Sequence, residues 1–214
     1  IRNMHKPLGQ LLQAGQSAFI FGPRQVGKTS LVKSCLVGVP DVLEYPLQDP
    51  ETRLSLERDP SLIIKRIKPM KPKPRVFIDE AQKVPALFDS IQYLIDEGLA
   101  SFIITGSSAR KLRRKGVNLL PGRVKTFRMD PVSWNEFGWL EPGTLGVLAM
   151  KNLNAAPYTL EQSMVFGSLP GIAALEKDDD RRDFLKAYTH IYLEEEIRAV
   201  ALSRKIGGLS RFLV

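Results

Sequence analysis

The chain has 214 residues, 43% of them apolar and 25% charged, so it can bury a sizeable core and does not read as disordered. Lysine and arginine exceed aspartate and glutamate by 31 to 23, a net charge of +8 that favours anionic partners without choosing among nucleotide, nucleic acid and acidic protein. No apolar run approaches the ~20 residues that span a bilayer, which predicts no membrane insertion, and a single cysteine, Cys35, excludes an internal disulfide and fits a reducing, cytoplasmic setting.

In chain order, "QSAFIFG" (16–22) is a short run of aromatic and β-branched residues stopped by Gly-Pro, the pattern of a buried strand entering a turn. "KTSLVKSCLVG" then places Leu31, Val32, Cys35 and Leu36 at helical spacing and stops at Gly38, so Cys35 is expected to pack rather than react. "VLEYPL" (42–47) is a second strand, placed at an edge because Pro46 has no N–H to give a ladder. "TRLSLERDPSLIIKRI" is helical in two pieces split at Pro60, and a proline-rich connector leads into a third strand at Val76 to Ile78 that ends on two carboxylates. "ALFDSIQYLIDEG" sets Leu87, Phe88, Ile91, Leu94 and Ile95 on one helical face. "ASFIITGSS" is a fourth strand running into a polar tip, and "RVKTFRMD" starts like a fifth.

Strands alternating with helices, and apolar along their whole length, predict a parallel sheet covered on both faces. From about Trp134 the strand signals stop, and "TLEQSMVFGSLPGIAAL" and "RRDFLKAYTHIYLEEEIRAVALSRKI" are helical. The expected organisation is a core over 1–135 followed by a helical region over 136–214. The apolar ending "LSRFLV" suggests a fragment of a longer protein.

"GPRQVGKT" fits the pattern G-x-x-x-x-G-K-[ST] at Gly22, Gly27, Lys28 and Thr29, after a strand and opening a helix, where such a loop cradles phosphates. The expected cradle is Gly22, Pro23, Arg24, Gln25, Val26, Gly27, Lys28, Thr29 and Ser30, whose amides and helix dipole face the phosphate oxygens. The absent side chains at 22 and 27 are expected to let a triphosphate approach the backbone. Lys28 would reach the outer phosphates and the Thr29 hydroxyl would ligate Mg²⁺. "RVFIDE" supplies acids about 50 residues further on: Asp79 to orient the metal and Glu80 to polarise the attacking water. If the fourth strand lies between those carrying Lys28 and Asp79, Ser107 or Thr105 would face the γ-phosphate; a helix cap by Ser107 or Ser108 is the compatible alternative. His5 and His190 lack ligand-spaced companions, so no zinc site is expected.

The runs "FGPRQVGKTSLVK", "FIDEAQKVP", "ITGSSARKL", "LLPGRV" and "YLEEEIRAVALSRKI…LSRFL" resemble the bacterial and archaeal AAA+ type ATPases, and within them the group whose ATPase core precedes a C-terminal domain of unknown function. The resemblance runs from about Leu11 to Leu213. It implies an α/β P-loop NTPase fold, a three-layer sandwich with a five-stranded parallel sheet and a small helical lid, with ATP and Mg²⁺ as cofactors. Adenine over guanine rests on that resemblance, since no N-K-x-D motif is present. It further implies that Ser107 is the sensor 1 position and that Arg123 is an arginine finger acting on a neighbouring subunit of a homo-oligomer. Arg198 and Arg204 are the candidates for sensor 2. The implied function is Mg²⁺-dependent ATP hydrolysis coupled to conformational change. Two alternatives stay open: a slowly hydrolysing nucleotide switch or scaffold for a protein client, and an ATP-assisted nucleic-acid-binding module using "KRIKPMKPKPR" (65–75) and "ARKLRRKG" (109–116).

Overall fold

Five apolar runs become strands, all parallel: β1 Ser17–Phe21, β2 Val42–Pro46, β3 Arg75–Asp79, β4 Ser101–Gly106 and β5 Val124–Arg128. They belong to a computed structural model that describes residues 2–107, 120–139 and 158–191. The sheet order is β2-β3-β4-β1-β5. β1, β3 and β4 are buried almost throughout, as a sheet covered on both faces requires, whereas the edge strands β2 and β5 are largely open. Pro46 ends an edge strand, where its missing N–H leaves no ladder bond unmade.

The order has one consequence that matters for chemistry. β4 lies between β1 and β3, so the carboxyl ends of the strands bearing the glycine loop and the acid pair flank the tip of β4. After β1 the chain crosses to the far edge, and only β5 returns to the other side of β1. Open α/β sheets bind ligands at such a switch in strand order, outside the carboxyl ends.

The helices follow the apolar spacing: α1 His5–Gln13, α2 Lys28–Leu36, α3 Pro50–Arg58, α4 Leu62–Ile67 and α5 Leu87–Asp96. α1 has no counterpart in the sequence reading. No side chain caps it, and Leu8, Leu11 and Leu12 form it by burial alone. α3 is locally specified, with Asp49 accepting from the Thr52 N–H and Pro50 at its first turn. Leu87, Phe88, Ile91 and Leu94 of α5 are buried as the spacing predicts, and Ile95 packs partly buried beside them. They meet Phe19, Val76, Ile78, Phe102 and Ile104 of the sheet and Ile63 and Ile67 of α4. Each such side chain contributes about 1.5–3 kcal/mol on leaving water.

The chain divides into two compact units, 1–131 and 132–214. In the second, helices span Leu160–Phe166, Pro170–Ala173 and Asp178–Ile191. The first begins in a capping box between Thr159 and Gln162 and stops at Gly167 (φ 84°). Its small core sets Tyr158 and Phe166 beside the fully buried Arg181, whose guanidinium lies 5.0 Å from the Tyr158 ring and donates to Asp178, while the buried Trp139 stacks on Phe137. No helix among the described residues is long and apolar enough to cross a membrane. Ser108, the basic run 109–116, Arg198 and Arg204 lie outside the described residues.

Candidate functional site

Residues 22–27 turn the end of β1 into α2, whose first residue is Lys28. Gln25 (φ 63°) and Gly27 (φ 90°) both take the left-handed conformation, and such alternation gathers successive N–H groups on one concave side. Val26 is fully buried and pins the loop from beneath. Lys28 is itself 95% buried, its ammonium donating to the carbonyls of Gly22 (2.9 Å) and Pro23 (2.7 Å), so the charge points into the loop.

Gly22 meets a packing demand that the sequence reading did not foresee. A Cβ there would stand 1.9 Å from the Met129 carbonyl oxygen, which follows β5 and whose own N–H donates to Phe21 at 2.8 Å. The strand next door by itself excludes a side chain at position 22. The left-handed backbone of Gly27 is a separate demand, made by the loop itself.

At the neighbouring strand ends, the Thr29 hydroxyl donates to Asp79, 3.0 Å from each carboxylate oxygen. Asp79 also accepts from the Thr105 hydroxyl, which in turn accepts the Glu80 N–H at 3.1 Å. Thr105 is fully buried, with its hydroxyl committed to Asp79 and Glu80, so it braces the acid pair. Glu80 is a non-glycine residue in the left-handed region (φ 59°, ψ 47°), which costs about 1–2 kcal/mol and re-aims the chain sharply after β3.

A short turn, Ala81–Lys83, follows and carries Gln82, a residue the sequence reading did not single out. Its amide donates to the Glu80 carboxylate and to the Ser107 hydroxyl (2.9 Å), and accepts the Ser107 N–H (3.3 Å). The signal was its place two residues beyond Asp79-Glu80, on a turn leaving a strand.

Lys28, Thr29, Asp79, Glu80 and Ser107 thus converge at the carboxyl ends of β1, β3 and β4. Arg123 does not join them. It precedes β5 at the opposite end of the sheet, where its guanidinium grips Asp96 at the end of α5 (Nε to Oδ1 2.6 Å, Nη2 to Oδ2 2.9 Å). That bond holds the Asp96 carboxyl below the usual carboxylate range. Cys35 is half-buried with its sulfur 3.8 Å from the His5 carbonyl, and burial pushes the thiol up, away from the reactive thiolate.

The donor set fits a hard cation. Thr29 and Asp79 offer adjacent oxygens, and Mg²⁺ takes one or two protein oxygens together with phosphates and water. Among the described residues no three His, Cys, Asp or Glu side chains gather into a metal cage.

A parallel sheet ordered 2-3-4-1-5, with a glycine loop after β1 and an acid pair closing β3, is the α/β fold of a P-loop NTPase. The chain belongs to the AAA domain family, whose model matches residues 15–138. Among solved structures it is similar to the Walker-type ATPase PABY2304 of Pyrococcus abyssi, with a TM-score of 0.61 at 17% identity over 92% of this chain and 75% of that one. Two uncharacterised proteins, Mb2031c of Mycobacterium bovis and Rv2008c of Mycobacterium tuberculosis, are each 29% identical over 147 residues, 64% of this chain and 31% of theirs. The chain therefore spans about a third of the length of the curated relatives it matches.

Proposed function

We propose that this chain binds ATP with Mg²⁺ and hydrolyses it, coupling nucleotide state to a conformational change. The contact of Thr29 with Asp79 carries the reading, because it brings the loop and the second acid to one point with Glu80 directly after. Lys28 would exchange its two loop carbonyls for phosphate oxygens, while the amides of residues 22–30 hold the rest of the polyphosphate. Thr29 and Asp79 would hold Mg²⁺, which neutralises charge developing on the transferred phosphoryl group. Glu80 polarises the attacking water as general base, and Ser107 offers a hydroxyl toward the γ-phosphate. The preference for adenine follows the family. Arg123, turned away from its own loop, would act only on a neighbouring copy in a homo-oligomer. The helical region from 136 would serve as a lid, in a cytoplasmic protein continuing into a C-terminal domain.

The test is steady-state phosphate release by wild type and Glu80→Gln, with ATP binding measured on both. Binding should be equal and release should fall about 10²–10⁴-fold. Equal, near-zero release by both would replace hydrolysis with the slow nucleotide switch.

One observation favours a second activity, binding of a nucleic-acid backbone. At the amino ends of the strands, remote from the glycine loop, a cleft of about 900 Å³ is lined by Lys73, Arg75 and Lys125, by Arg123 in its pair with Asp96, and by the carboxylate of Asp41. Lys73, Arg75 and Lys125 have no acidic partner among the described residues, and the Arg75 Nε is buried without an acceptor. A polyphosphate backbone laid along these cations would release counterions. Binding of a single-stranded oligonucleotide should weaken steeply with salt, and Lys73→Ala/Lys125→Ala should flatten the slope by about two. A salt-independent signal removes this reading.

A further inference from the structure

We infer that Gln82 is a positioning residue that ties the hydroxyl at the tip of β4 to the general base, so that Ser107 and Glu80 act as one unit. The inference rests on the hydrolysis reading above and names a part of the site that neither the glycine loop nor the acid pair contains.

An amide has two N–H donors and one carbonyl acceptor, and Gln82 uses all of these functions within the site. Nε2 donates to the Glu80 carboxylate and to the Ser107 oxygen at 2.9 Å, while Oε1 accepts the Ser107 N–H at 3.3 Å. The side chain is therefore held by hydrogen bonds to both neighbours. Gly106 makes room for it: a Cβ at that position would lie 3.0 Å from Oε1. On the other side, the Glu80 backbone is held by the Thr105 hydroxyl in a left-handed conformation. What remains adjustable in Glu80 is its side chain, and Gln82 is the group that holds its carboxylate.

The Ser107 hydroxyl accepts from Gln82, which leaves its own proton to donate elsewhere. A hydroxyl that donates to a phosphate oxygen becomes a stronger acceptor, because linked hydrogen bonds polarise one another. A γ-phosphate bound by Ser107 would thereby tighten the bond from Nε2 and fix the second N–H on Glu80. The base would be ordered when the scissile phosphate is in place. A nucleoside diphosphate, lacking that group, would not produce the effect.

Gln82→Met keeps the length and volume of the side chain and removes every hydrogen bond. It should bind ATP as wild type does, with KM nearly unchanged, and lose about 10²-fold in kcat, the scale of a misplaced reacting group. Ser107→Ala should slow wild type several times more than it slows the Gln82→Met protein, since the link it would break is already gone. A Gln82→Met kcat within about twofold of wild type, in a protein where Glu80→Gln is inactive, overturns the inference while leaving hydrolysis intact. Strictly additive effects of Ser107→Ala and Gln82→Met overturn it as well. Absence of phosphate release by wild type overturns both the inference and the reading beneath it.

Discussion

The hydroxyl of Thr29 stands 3.0 Å from each carboxylate oxygen of Asp79, although the two residues are 50 apart in the chain, one in the first turn of α2 and the other at the end of β3, and β4 separates β3 from the β1 strand that leads into α2. The contact exists because loop 22–27 carries the chain from the end of β1 to the first turn of α2, beside the end of β3. It is also where the polar chemistry of loop and acid pair becomes one site.

A metal held through these two oxygens should make ATP affinity depend on Mg²⁺. Asp79→Asn and Thr29→Val should each weaken Mg²⁺-dependent binding by about 10–100-fold, while Thr29→Ser keeps the hydroxyl and the affinity. Calorimetry in Mg²⁺ and in EDTA measures this. Identical affinities for Asp79→Asn and wild type in Mg²⁺ would remove Asp79 from the metal site.

The two loop glycines should separate in their effects. Gly22→Ala forces a methyl group against the Met129 carbonyl, and overpacking of that kind costs about 1–3 kcal/mol or more. Gly27→Ala strains a left-handed residue by about 1–2 kcal/mol and distorts the curl of amides. Chemical denaturation should find Gly22→Ala the less stable of the two. Nucleotide titration should find Gly27→Ala impaired even where it is folded.

Arg123 offers a test of assembly. If its guanidinium leaves Asp96 to act on a neighbour, phosphate release per chain rises with protein concentration, and Arg123→Ala lowers it by about 10³-fold without loss of ATP binding. Mixing Arg123→Ala with Lys28→Ala should restore activity, because one chain brings an intact loop and the other an intact arginine. Rates that are independent of concentration, with no rescue on mixing, confine Arg123 to its pair with Asp96.

Acid sensitivity has an assignable part near α4. Lys65, through a 2.8 Å bond, and then Ser61 hold the Asp59 carboxyl down to about 2. A carboxyl lowered by folding adds stability above its unfolded value and loses it as pH falls from about 4 toward 2. Lys65→Ala removes the largest cause. Acid unfolding followed by circular dichroism should then be less steep across that window for Lys65→Ala. Equal steepness would show that Asp59 is not a source of it.

Local pattern carried much of this protein. Gly22 to Thr29, the acid pair at 79 and 80, the Pro60 break and the face of α5 are legible because each is set by backbone permissiveness, capping or apolar period over a few residues. The strand order is not of that kind. It placed Ser107 beside Gln82, turned Thr105 into a buried brace, set the Met129 carbonyl against Gly22 and carried Arg123 to Asp96 at the far end of the sheet. Periodicity tells which face of a segment must leave water. Which partner covers that face is decided by crossovers between distant segments, and only the folded sheet brings those residues within hydrogen-bonding reach.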